Sequence, residues 1–142
     1  MPPSKSKSTT TSPELQRFAG RFEPALSVDV EEWYHNCWVP EYVDPVSRPR
    51  LPEELDWLLP QVAEEFGRTG ARATFFVLGE VASRIAPRLR ELAAAGHEIA
   101  CHSFHHWRAN SLGLDRFRTE ITRAKAVLEE IVGIEVRGFR AP

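Results

Sequence analysis

The sequence predicts an α/β fold with about four parallel strands and intervening helices. Two observations carry this. Short apolar runs with a β-branched bias alternate with longer stretches whose apolar residues recur at helical spacing. Ionisable side chains also collect just after the predicted strands, where parallel α/β folds place their ligands.

Ala25-Leu26-Ser27-Val28-Asp29-Val30 reads as the first strand. Residues 34–51 contain Pro40, Pro45 and Pro49 without clear periodicity, and predict a long loop. Leu55, Leu58, Leu59, Val62, Ala63 and Phe66 then fall on one helical face, between Pro52 and the glycines Gly67 and Gly70. Pro60 lies inside that stretch and predicts a kink or a tightened turn. Residues 72–78 form the second strand, apolar enough at its end to be covered on both faces. Residues 80–95 predict helix with a break before Pro87, stopped by Gly96, and residues 97–101 predict the third strand. Phe117, Ile121, Ala124, Leu128 and Ile131 mark a helix over about 115–132, closed by Gly133. Residues 135–139 predict a fourth strand. No helix follows it to cover the sheet edge, so the chain reads as a fragment of a longer protein.

Residues 1–12 are rich in Ser, Thr, Lys and Pro and predict a disordered tail. Residues 13–24 predict a short lead-in that opens on a Ser12-Pro13-Glu14 helix-start signal. With 142 residues, 42% of them hydrophobic, the chain suffices for one core. A net charge of −2 gives no electrostatic reason to expect nucleic acid or an anionic membrane as partner. No apolar run is long enough for a membrane span, and the N-terminus lacks the apolar segment of a secretory signal, so the expected location is cytoplasmic. Cys37 and Cys101 are too few for a disulfide framework and read as free thiols.

The chemistry gathers at one rim. Asp29 and Glu31 close the first strand, His102 and His106 follow the third, and Arg140 follows the fourth. In an extended strand residues i and i+2 share a face, which favours Glu31 over Glu32 as the partner of Asp29. Two histidines four apart reach the same side of a helical turn or compact loop. Two imidazoles and a carboxylate, with coordination positions left open, suit a catalytic zinc site. Each group also has a bland reading: Glu31 and Glu32 as solvated charges, the histidines as a capping pair, Arg140 as a surface cation. Asp29 resists that reading, because a carboxylate in an apolar strand needs a partner or a purpose.

Four segments together carry a resemblance. They are Ser27-Val28-Asp29-Val30-Glu31-Glu32-Trp33, Ala73 through Gly79, Gly96-His97-Glu98-Ile99 with His102-Ser103-Phe104-His105-His106, and Arg140-Ala141-Pro142. In order and spacing they resemble the polysaccharide deacetylases of the NodB-homology type, from about residue 25 to the last residue. The resemblance implies a partial distorted (β/α) barrel, with residues 25–142 as the N-terminal half of that domain, apparently truncated. It implies a metal-dependent hydrolase that removes N-acetyl groups from a polysaccharide or oligosaccharide. Asp29 matches the general base, and Arg140 the arginine that orients it. His102 and His106 match the two metal histidines, and Pro142 shapes the groove. The family's second acid usually follows the first directly. Here Val30 stands there, so Glu31 takes the ligand role in an Asp-Val-Glu-Glu variant, with Glu32 as its rival. The implied cofactor is one divalent metal ion, zinc with cobalt or nickel as alternatives, and the implied partner is an N-acetylated glycan. The general-acid histidine falls after Pro142.

His97 and His105 read as structural, and His35 as a possible lining residue of the pocket. Trp33, Trp38 and Trp107 are candidates to stack on sugar rings. Two other readings stay open: a hydrolase of small cyclic amides on the same scaffold, and a truncated metal-binding remnant without catalysis.

Overall fold

A computed structural model describes residues 25–36 and 51–142. The expected tail and lead-in over 1–24 lie outside the described residues, as do Cys37, Trp38 and most of the proline-rich loop.

Three strands form a parallel sheet in the order β1 (Leu26–Val30), β2 (Ala73–Val77), β3 (Glu98–Cys101). Leu26 pairs with Ala73 and Val30 with Val77, while Thr74 pairs with Glu98 and Val77 with Cys101. All three strands therefore end at one level, and the side chains that follow them emerge at one rim.

Between the strands run α1 (Leu55–Thr69), α2 (Gly79–Ala82) and α3 (Ala86–Ala94), and α4 (Leu114–Val132) follows β3. The helix α1 continues through Pro60 and ends at Gly70, whose φ of 68° is the left-handed conformation that glycine adopts without a Cβ penalty. The break expected before Pro87 separates α2 from α3, and Pro87 sits in the first turn of α3. The core gathers Phe75, Val77, Leu78, Leu89, Leu92, Ile99, Ala124 and Leu128. Each fully buried Leu or Phe side chain contributes about 1.5–3 kcal/mol. β2 alternates rather than being covered on both faces: Ala73, Phe75 and Val77 are buried, Thr74 and Phe76 only half-buried.

The fourth predicted strand does not form. Residues 135–139 touch the sheet through one bridge, Cys101 with Phe139, closed by Cys101 N–H to Gly138 O and Arg140 N–H to Cys101 O. The reason lies in α4, whose side chains take the backbone groups of Val136. Glu129 accepts its N–H at 2.9 Å, and Lys125 Nζ donates to its carbonyl at 2.8 Å.

Cys101 is a free, buried thiol, and burial pushes its pKa up. No helix among the described residues is long and apolar enough to cross a membrane.

His97 is structural, as its Gly-His-Glu context predicts. Its Nδ1 accepts the Ala73 N–H at 3.2 Å, and its ring packs against Phe75 and Phe66. Burial, with Arg72 nearby, lowers its pKa from the ordinary 6.5. Below that value the unfolded chain binds the proton more readily than the native imidazole does, so stability falls as pH drops and is complete above it. The urea midpoint should therefore fall between about pH 7.5 and about pH 5.5. His97→Asn, which keeps an acceptor without titrating, should flatten that dependence. Equal slopes in the two proteins would refute the assignment.

Candidate metal centre

The rim is built by two chain exits. β1 ends at Val30, a buried residue, and Glu31 and Glu32 then leave in different directions. Glu31 stays at the rim, with its side chain 24% exposed. Glu32 turns inward and is fully buried, accepting the N–H groups of Glu54 at 2.7 Å and Leu55 at 3.4 Å where α1 begins. It also pairs with Arg84, which in turn reaches Asp56 at 2.8 Å and Glu53 at 3.4 Å.

The second exit follows β3. Residues 102–106 form a compact loop, not a helical turn, because Ser103 and His106 hold φ values of 67° and 61°. His102 N–H donates to Val77 O, while the N–H groups of Gly79 and Glu80 in α2 donate to the carbonyls of Ser103 and Phe104 at 3.0 and 3.1 Å. Gly79 is needed for that approach, since a Cβ there would lie 2.4 Å from the Phe104 ring.

The loop brings the His102 and His106 rings to a centroid distance of 4.9 Å. His106 Nε2 lies 2.9 Å from Glu31 Oε2. One ligand atom each from Glu31, His102 and His106 fall within 4.8 Å of one another. The strand-face argument for Glu31 over Glu32 thus agrees with the geometry, and the rival acid is committed elsewhere. His35, the other alternative, is buried beneath Glu32, whose N–H its Nδ1 accepts at 2.9 Å. It stands outside the group of three.

These donors fit a divalent metal ion. Glu31 Oε2 is a buried oxygen without an aligned hydrogen bond, close as His106 is. His102 Nδ1 lies 2.9 Å from the Arg140 carbonyl. A carbonyl only accepts, so Nδ1 carries the proton and Nε2 keeps the lone pair that a metal would take. Burial would raise the Glu31 carboxyl, but the His106 ring against it, with His102 and His35 nearby, reverses this and holds it below the usual carboxylate value.

Beside this group stands Asp29. Its Oδ1 accepts from Arg140 Nη1 at 2.5 Å, while Arg140 Nη2 donates to Ser27 Oγ at 2.7 Å. The guanidinium also lies 4.1 Å over the Phe76 ring. Arg140 therefore holds Asp29 through its side chain and His102 through its backbone.

The model of the family described as "Polysaccharide deacetylase" matches residues 57–142. The chain belongs to the polysaccharide deacetylase family. Among its relatives, the peptidoglycan-N-acetylglucosamine deacetylase of Bacillus cereus is 24% identical, over 80% of this chain and 45% of that protein. A Mycobacterium smegmatis structure assigned to the polysaccharide deacetylases superposes with a TM-score of 0.69 at 29% identity, over 83% of this chain and 42% of that one. A CE4-family pseudoenzyme from Bacillus anthracis shares the fold with a TM-score of 0.61 at 22% identity, over 83% of this chain and 34% of that one. This deacetylase-family chain spans less than half the length of each of these relatives.

His105 points away from the ligand group, as expected, and its Nδ1 meets Glu120 Oε1 at 2.9 Å. Trp107 is exposed and stacks on His105, with Arg116 against its ring. Trp33 is exposed and fixed by an Nε1–H bond to Pro52 O at 3.3 Å. Sequence reasoning missed Arg84 and Glu120. The signal for Glu120 was present: it is four residues before Ala124 and three after Phe117, a carboxylate on an apolar stripe. Arg84 left no comparable trace.

Proposed function

We propose that this chain supplies the metal-holding and base-bearing part of a hydrolase that removes N-acetyl groups from a polysaccharide. The observation that carries the reading is the convergence of Glu31, His102 and His106 beside the Asp29–Arg140 pair. Glu31 and the Nε2 atoms of both histidines would hold one divalent ion, zinc or a metal of similar preference. When bound, such an ion polarises a carbonyl and acidifies water. Asp29 takes the proton of the attacking water as general base. Arg140 occupies Oδ1 of Asp29 and so fixes how the carboxylate faces that water. The deacetylase named among the relatives acts on N-acetylglucosamine in peptidoglycan, and an N-acetylglucosamine polymer is the substrate class proposed here.

The test measures metal content and acetate release from N-acetylglucosamine oligomers by the intact protein. It is run before chelation, after it, and after zinc or cobalt is returned. The expected result is about one metal per chain, with activity lost on chelation and restored by the metal. Acetate release indifferent to chelation would sink the proposal. Metal bound without any acetate release would leave the remnant reading in its place.

A further inference from the structure

We propose that Glu120 is a positioning residue that holds the metal-ligand loop in its binding shape. The inference rests on the metal centre proposed above. Glu120 lies on α4 and is 5% exposed, among the apolar residues that face the core. Its carboxylate meets one residue twice: Oε2 accepts the backbone N–H of His105 at 2.9 Å, and Oε1 lies 2.9 Å from His105 Nδ1. A buried carboxylate is costly without such partners, and the bonds it accepts are charge-assisted and strong.

The place of this contact gives it meaning. His105 immediately precedes His106, which presents its Nε2 to Glu31 from a left-handed backbone. A non-glycine residue persists in that conformation only when its surroundings over-determine it. The α2 backbone grips the loop at Ser103 and Phe104, nearer the His102 end. Glu120 grips it at His105, beside the His106 end. Stacking of His105 on Trp107 adds a second restraint on the same residue. Without the carboxylate, the loop loses two hydrogen bonds at His105, and the N–H bond of His106 to Ser103 Oγ at 3.2 Å is left to oppose relaxation of His106 from its left-handed φ, which swings its ring away from Glu31 and His102.

The test compares zinc affinity with metal-free stability in the intact protein. Glu120→Leu continues the apolar stripe but leaves the His105 N–H without its acceptor, so its metal-free urea midpoint should fall only modestly, while the protein stays folded. Its zinc affinity should fall about 10-fold or more, in the range of lost outer-shell support. Glu120→Gln retains one acceptor and should lie between the two, a graded rescue that a purely structural role would not produce. If Glu120→Leu fails to fold, Glu120→Gln decides alone, with an expected fall of several-fold. Affinities within about twofold of wild type in the folded variants would overturn the inference. His106→Ala serves as the control: undiminished zinc binding there would overturn the metal centre, and this inference with it.

Discussion

On the proposed mechanism, Asp29→Asn should lower acetate release by about 10²–10⁴-fold, the contribution expected of a positioned general base, and should leave metal content unchanged. Asparagine matches the carboxylate in shape, and its carbonyl oxygen still accepts from Arg140, so the local packing survives. What it loses is the ability to take a proton. The donor atoms of Glu31, His102 and His106 form their group without Asp29, so the substitution removes none of the proposed metal ligands. The measurement pairs turnover on N-acetylglucosamine oligomers with metal analysis of the same preparation. Undiminished turnover removes Asp29 from the mechanism. Parallel loss of metal and turnover assigns Asp29 to ligand binding instead.

Glu32→Ala should unfold the protein more readily by about 3 kcal/mol, near the lower end expected when one partner of a buried ion pair is removed. Two N–H groups at the start of α1 lose their acceptor, and Arg84 loses its most buried partner. The lower end is expected because Arg84 is 26% exposed and keeps Asp56 and Glu53. Neighbouring Glu31→Ala should do the reverse, with little change in metal-free stability and loss of the metal. Urea unfolding and metal analysis of the two variants separate the acids. A cost below about 1 kcal/mol for Glu32→Ala would refute its anchoring role.

The contrast between these acids shows where the sequence was readable. Period-2 geometry favours Glu31 over Glu32 as the partner of Asp29, and β1, extended through Val30, leaves Glu31 in the group with His102 and His106. The inward turn of Glu32 depends on Arg84 and the start of α1, which are distant in sequence, so no local pattern could reveal it. The three strands of the sheet and the long helices were legible from apolar spacing, with boundaries shifted by a few residues. The fourth strand failed for a tertiary reason: Glu129 and Lys125 claim the backbone of Val136, and no propensity in residues 135–139 anticipates that. His102 and His106 were visible as a pair, but the loop that joins them was not. Its left-handed residues are Ser103 and His106, neither of them the glycine that marks such positions.

Arg140 has a consequence for mutagenesis at this rim. Truncating its side chain releases Asp29 but leaves the carbonyl that faces His102. A displacement of the main chain there would instead misalign the acid and the imidazole in the same event. Side-chain replacements can therefore dissect the two functions, whereas damage to the segment lying along β3 would register as one indivisible defect.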